Sequence, residues 1–310
     1  MAFAKTVFDA IDILCKNDQN AISYGEMQCE KDLVYDASHK YGKLDIYAKE
    51  FDSSIKHPLI INYHGGGFVA GDKKYRKGFA DYFVNKLVDE KIYYINANYR
   101  LCNGKDVVFP TPIVDCANVL KWVEENKDKY NFDMDQVYVS GDSAGGYVCI
   151  CMTNLTLDND YAESIGAYKP SFKFKGGFFG CGPYNILSSL KTKLYGLNVG
   201  EIVGKPVTGL KKIDDEAISN YKWLKEINPM NYVSAEYPEI FFVHAEYDEF
   251  CPGHAKDLMA KLDEIGVKHE SYYMGNKQAV NHCFFLSQKS KVGQEALAQS
   301  IEYFKRKMNS

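Results

Sequence analysis

Strand-like and helix-like segments alternate along the 310 residues, which predicts an α/β chain with a mostly parallel sheet covered by helices on both faces. Two observations carry this. Runs of strand length, such as Pro58–Tyr63 and Lys91–Ala97, are largely apolar rather than alternating, as strands covered on both sides are. The stretches between them place apolar residues three and four apart, the spacing of a helix face.

The elements follow in order. Val7, Ile11 and Leu14 predict a helix over Phe3–Cys15, within an N-terminal helical segment 1–30. Short strands are expected at Asp32–Tyr35 and Leu44–Tyr47. Pro58–Tyr63 is a buried strand that runs into a glycine-rich loop. A helix around Phe79–Leu87 precedes the strand Lys91–Ala97. Ile113, Ala117, Leu120 and Val123 mark the next helix face. Gln136–Ser140 is a strand ending at Gly141, and an apolar helix starts at Ala144. Phe174–Phe179, Glu239–His244 and His269–Met274 are strands. Leu258, Leu262 and Ile265 form a stripe that Gly266 stops, and Leu297, Ile301 and Phe304 form the last one. Residues 186–231 break the pattern with mixed lysine, glycine and aromatic residues. The segment is too long for an ordinary connection and reads as an inserted, partly helical cap, with a plain surface excursion as the alternative. The expectation is one domain over 1–310 carrying that insertion.

Composition narrows the function classes. A net charge of −4 gives no electrostatic reason for a nucleic-acid partner. Only three arginines are present, Arg76, Arg100 and Arg306, so arginine-rich phosphate recognition is not expected. No apolar stretch approaches the ~18 residues needed to span a bilayer. The N-terminus lacks the pattern of a signal peptide. Nine irregularly spaced cysteines do not read as a disulfide framework. The expectation is a cytoplasmic protein with free thiols. A homo-oligomer is left open.

The chemistry sits at Gly141-Asp-Ser-Ala-Gly-Gly146, a G-x-S-x-G pattern where a strand ends and a helix begins. A serine on so tight a turn has its hydroxyl pushed out of the sheet, and the helix behind it directs N–H groups at developing negative charge. His64-Gly-Gly-Gly67 lies about eighty residues upstream. Consecutive glycines leave backbone N–H groups unshielded. Donors preorganised for an acyl-transfer oxyanion are worth roughly 3–4 kcal/mol each. Gly66, Gly67 and Ala144 are the expected oxyanion hole, with Ser143 as nucleophile. A phosphate loop would need a Walker lysine or a G-x-G-x-x-G spacing, and neither is present.

HGGG followed by GDSAGG resembles the hormone-sensitive-lipase-like branch of the α/β-hydrolases, which includes carboxylesterases and acetyl esterases. Leu44-Asp-Ile-Tyr47 is similar to the family's strand before the oxyanion loop. Asn98-Tyr-Arg-Leu101, Phe109-Pro110 and Asp115 resemble a further block, although Cys102-Asn-Gly104 replaces the usual Ala-Pro-Glu. The resemblance runs from about residue 40 to 305. It implies an α/β-hydrolase fold with about eight strands and a triad in the order Ser, acid, His. The family's G-x-x-D maps onto Ala245–Asp248, which makes Asp248 the acid, with Glu246 and Glu249 as rivals. His282 is the base, although His282-Cys-Phe284 stands where His-Gly-Phe is usual.

The remaining histidines are read as structural. His39 and His57 are expected in solvent, His254 and His269 at surface or edge positions. His64 is expected to hold its loop, and His244 to pack or orient the acid loop. Cys149 and Cys151, two apart on a helix, point to different sides, and no His or Cys spacing completes a zinc site. No metal or cofactor is implied. The resemblance points to hydrolysis of short-acyl, acetyl-like esters, with Tyr195, Leu197, Tyr221 and Trp223 of the cap walling the pocket. An arylformamidase-like amide hydrolase is the second reading. A non-catalytic ligand receptor of the same fold is a third, disfavoured because all three triad residue types are present. A peptidase reading is weaker still, since the chain is too short for a large gating domain.

Overall fold

A computed structural model describes Thr6 and residues 22–194, 196–275 and 282–310. The expected helix over Phe3–Cys15 falls outside the described residues. In chain order the elements begin β1 (Gln28–Val34), β2 (Lys43–Ala48), β3 (His57–Tyr63), a 3-10 turn Lys73–Arg76, α1 (Lys77–Lys86), β4 (Tyr93–Ala97), α2 (Thr111–Tyr130) and β5 (Phe132–Asp142). Next come α3 (Ala144–Leu157), α4 (Asn159–Ile165) and β6 (Gly176–Gly180). The interrupting segment holds α5 (Ile186–Ser189), a hairpin of β7 (Lys193–Leu194) and β8 (Leu197–Asn198), a π turn Gly200–Gly204, α6 (Lys205–Thr208), α7 (Asp215–Ser219) and a 3-10 turn Pro229–Tyr232. The chain ends with β9 (Ile240–Ala245), α8 (His254–Glu264), β10 (His269–Met274), a 3-10 turn Phe284–Leu286 and α9 (Lys291–Met308).

Eight strands form one sheet in the order β1-β2-β4-β3-β5-β6-β9-β10. β2 runs antiparallel to both its neighbours, and every other pair is parallel. This is the predicted α/β-hydrolase sheet. The expected strand at Asp32–Tyr35 is the tail of a longer β1 that starts at Gln28, inside the segment expected to be helical. A register shift lies between Glu30 and Leu33. β5 extends beyond the expected Gln136–Ser140 at both ends, because Phe132 also pairs with His57 and Asp142 with Gly180.

Side chains alternate between two cores. Leu59, Ile61, Tyr63, Val137 and Val139 pack with α2, α3 and α8 on one face. Ile60, Tyr94, Tyr138, Phe178 and Phe241 pack with α1 and α9 on the other. Burial of each such side chain contributes about 1.5–3 kcal/mol. That is why the inner strands read as continuous apolar runs in the sequence.

The order also locates the site. From β3 the chain moves outward to β4 and then returns to the other side of β3 as β5. The loops after β3 and β5 therefore leave the sheet in opposite directions and open a crevice at its carboxyl edge. The elbow after β5 crosses very close to β3. A Cβ on Gly145 would lie 1.9 Å from the carbonyl oxygen of Tyr63. Neither backbone can yield without breaking the sheet.

Gly145→Ala is expected to destabilise the protein by about 3–5 kcal/mol or prevent folding, the range of severe core clashes. Gly166→Ala, with no atom within 4 Å of the new Cβ but a φ of +65°, should cost only about 1 kcal/mol. Urea midpoints of the two variants test the contrast.

Candidate active site

Ser143 stands between the end of β5 and the start of α3 with φ 53° and ψ −118°. Such a conformation costs a non-glycine residue about 1–3 kcal/mol. Its N–H donates to the carbonyl of Gly180 on β6 at 2.8 Å, and its own carbonyl accepts from Tyr147 N–H at 3.1 Å. The turn is thus pinned to the sheet on one side and to the helix on the other. Beneath it lies a buried ion pair that the sequence did not disclose. Arg76 Nε and Nη2 reach the two Asp142 carboxylate oxygens at 2.7 and 2.6 Å. Both side chains are almost wholly out of solvent. Removing one partner of such a pair strands the other charge, at a cost of about 3–5 kcal/mol.

His282 follows β10 and reaches back over the elbow. Its Nε2 is 2.8 Å from Ser143 Oγ, and its Nδ1 is 2.9 Å from each Asp248 carboxylate oxygen. Asp248 follows β9, and its Oδ1 also accepts the N–H groups of Phe250 and Cys251 at 3.0 Å. Burial pushes Asp248 up, but the His282 ring and these donors outweigh it and hold the carboxyl below its ordinary range. Burial pushes His282 down, and the Asp248 carboxylate, with Asp142 and Glu249 behind it, more than reverses this and raises it above 6.5. The rival acids lie elsewhere. Glu246 pairs with Lys256 at 2.8 Å. Among the described residues Glu249 meets the backbone N–H of His282, at 3.5 Å.

The HGGG loop folds back on itself where Gly66 accepts from Val69 and Ala70 N–H at 3.1 and 3.0 Å. Gly67 and Ala144 line the pocket beside Ser143, whereas Gly66 is not among its walls. Gly66 has a φ of +111°, and a Cβ there would meet the Ala70 carbonyl at 2.3 Å. A side chain there would block the turn. His64 holds the loop as expected. Its Nδ1 bonds the Gly65 carbonyl at 2.7 Å, its ring stacks on Tyr99, and burial lowers its pKa to about 4. Arg100, from the Asn98-Tyr-Arg-Leu101 block, is half-buried and pairs with the buried Asp115 at 2.6 Å rather than lining the pocket.

Several expectations need correction. His57 is buried, not solvated. It stacks on Tyr93 and bonds the carbonyls of Lys91 and Asp52, because the strand it begins lies inside the sheet. His39 is half-buried, 3.4 Å from Asp36 and 3.6 Å from Asp115. His254 is buried too. Its Nε2 bonds Ser188 Oγ at 2.6 Å and its Nδ1 accepts from Asn185 N–H at 3.3 Å, which joins α8 to α5. His244 packs on Tyr273. His269 stands on edge strand β10 beside Asp263, as expected.

The pocket walls also differ from expectation. Tyr195 and the Leu197 side chain lie outside the described residues. Tyr221 and Trp223 do not wall the pocket, and Trp223 packs on Phe109 instead. Ile186, Leu190, Val199, Val203 and Phe250 line it, around a cavity of about 40 Å³. Three thiols, Cys181, Cys251 and Cys283, converge on His282 from three different loops. No sequence spacing announces them, because β6, β9 and β10 end together only in the folded sheet.

Comparison with known proteins bears on the family and the fold. The BD-FAE family model matches residues 44–262. Versiconal hemiacetal acetate esterase of Dothistroma septosporum is 27% identical over 266 residues, covering 79% of this chain and 72% of that protein. Probable carboxylic ester hydrolase LipM of Mycobacterium tuberculosis is 21% identical over 88% of this chain, and the match spans 61% of LipM, less than two thirds of its length. Esterase B from Lactobacillus rhamnosus superposes with a TM-score of 0.80 at 18% identity, over 99% of this chain and 95% of that one. An esterase from Pyrobaculum calidifontis does so at 0.71 and 20%, over 98% and 93%. Among the described residues no helix is long and apolar enough to cross a membrane. The chain thus belongs to the BD-FAE family, on the hormone-sensitive-lipase-like α/β-hydrolase fold, among relatives that are carboxylic ester hydrolases.

Proposed function

We propose that this carboxylic ester hydrolase works through a Ser143–His282–Asp248 triad on short-acyl esters. The observation that carries the proposal is the unbroken chain of contacts from Asp248 through both nitrogens of His282 to Ser143 Oγ. Ser143 Oγ attacks the ester carbonyl while His282 Nε2 takes its proton. Asp248 holds the ring in the Nδ1–H tautomer and stabilises its charged form. The N–H groups of Gly66, Gly67 and Ala144 receive the oxyanion. His282 then protonates the leaving alcohol, and a water activated by the same ring releases the acid.

Acyl size follows from volume. A water needs about 10–15 Å³ of such space, so about 40 Å³ takes a group of three or four heavy atoms. Acetyl to butyryl chains fit, and longer ones must displace Leu190 or Val203. Residues 186–231 act as a cap on a single domain, since α5 and the π turn supply the pocket's outer wall.

Three outcomes are expected. Hydrolysis of p-nitrophenyl acetate should fall by at least 10³-fold in Ser143→Ala with the urea midpoint unchanged, because removing one triad member leaves only oxyanion and binding contributions. Near wild-type turnover would refute the nucleophile. In a p-nitrophenyl series the acetate or butyrate should exceed the decanoate in kcat/KM by at least about tenfold, and decanoate preference would overturn the acyl-size reading.

The third outcome concerns pH. His282 must be neutral to accept the proton, and its pKa is raised above 6.5. kcat/KM should therefore fall as pH drops through a midpoint above 6.5. In Asp248→Asn the carboxylate that raises His282 is gone, so the midpoint should move to lower pH, with turnover reduced roughly 10³–10⁴-fold. An unmoved midpoint would show that Asp248 does not set the base.

A further inference from the structure

The three buried thiols around His282 take no part in acyl transfer, yet they form the densest cluster of soft donor atoms among the described residues. The donor atoms of Cys181, His282 and Cys283 all lie within 4.8 Å of one another. So do those of Asp248, Cys251 and His282. The two sets share the imidazole. Cys251 Sγ is 3.8 Å from His282 Nδ1 and donates to the Cys181 carbonyl at 3.2 Å. None of the three is in a disulfide.

The backbone supplies a second, independent observation. Cys181 has φ 48° and Cys283 has φ 54°. Glycine adopts this left-handed region without penalty, whereas a residue with a Cβ gives up about 1 kcal/mol or more there. Cys181 even stands between Gly180 and Gly182. If packing alone mattered at these two turns, glycine would suit both backbones better than cysteine. What cysteine adds at both positions, facing the same ring, is sulfur.

We propose that Cys181, Cys283 and His282 form a binding site for a thiophilic divalent cation, Zn²⁺ in the first place, whose occupancy reversibly switches off ester hydrolysis. The donor set suits it, since zinc takes thiolate and imidazole ligands in tetrahedral sites. Tetrahedral zinc holds its sulfur ligands about 3.8 Å apart, given Zn–S of about 2.3 Å. The cluster therefore needs to contract by about 1 Å at most. Cys251 or Asp248 can supply the fourth ligand from the second set. Each thiol that binds releases one proton, and no electrons move. Binding expels those protons, so it strengthens as pH rises. Cys251 lines the substrate pocket, which provides the way in. Whichever imidazole nitrogen enters the coordination sphere, His282 gives up its contact with Ser143 or with Asp248. The inhibitory consequence rests on the role of His282 proposed above, and the binding itself does not.

The test separates the two. Co²⁺ is titrated into the 310-residue chain, and near-ultraviolet thiolate-to-cobalt charge-transfer absorption is recorded alongside inhibition of p-nitrophenyl acetate turnover by Zn²⁺. The wild type should show the band and lose turnover at micromolar Zn²⁺. Cys181→Gly and Cys283→Gly, which relax the backbone rather than strain it, should keep basal turnover while the band falls and the inhibiting Zn²⁺ concentration rises by at least about tenfold. No band in the wild type, or equal Zn²⁺ sensitivity in the glycine variants, overturns the proposal. A band that depends on both cysteines in a protein without Ser143-dependent turnover upholds the site and removes the esterase reading instead.

Discussion

The elbow depends on a charge pair held out of water beneath it. Asp142 immediately precedes Ser143, and its carboxylate is gripped by two nitrogens of Arg76. Arg76 comes from the 3-10 turn after the HGGG loop, so the pair ties the β3 loop to the end of β5 across the crevice. The carboxylate also fills the space where a Cβ on Gly65 would sit, at 2.4 Å. One interaction therefore fixes the two loops that supply the nucleophile and the oxyanion donors. It leaves Ser143 in its high-energy turn without a means of relaxing. A bidentate guanidinium is suited to this, since it sets orientation as well as charge.

The same residue type does different work according to what surrounds it. His64 and His282 are both buried. His64 has the Gly65 carbonyl and a stacked Tyr99 beside it, and burial keeps it neutral. His282 faces Asp248 across 2.9 Å and holds its proton more tightly than a free imidazole does. The first is suited to holding a loop, the second to accepting a proton from an alcohol and returning it. His254 has a third role, bonding Ser188 and so fastening α8 to the segment that carries the pocket wall.

Much of this was legible in the sequence where physics acts locally. The apolar runs at Pro58–Tyr63 and Lys91–Ala97 report burial on both faces, and the glycines around Ser143 report a turn and a close crossing. The resemblance supplied the order Ser, acid, His, and with it the choice of Asp248 and His282 beside Ser143. What escaped depends on long-range convergence. Arg76 and Asp142 are 66 residues apart, with nothing local to link them. His57 lies in a polar stretch that the sheet covers, and His254 in one that α5 covers. The pocket wall differs from expectation because Trp223 packs on Phe109, and aliphatic side chains of the inserted segment face the nucleophile instead. Bulk alone does not tell which way a side chain in an irregular segment turns.

The central claim is that Ser143 becomes acylated with His282 as its base, and trapping tests it most directly. The protein would be incubated with a short-chain p-nitrophenyl phosphonate and the adduct located by peptide mass spectrometry. The account predicts one phosphonyl group per chain, on the peptide that carries Ser143, with labelling that slows as pH falls below the His282 transition. An unlabelled protein, or a label placed on any other residue, would contradict it.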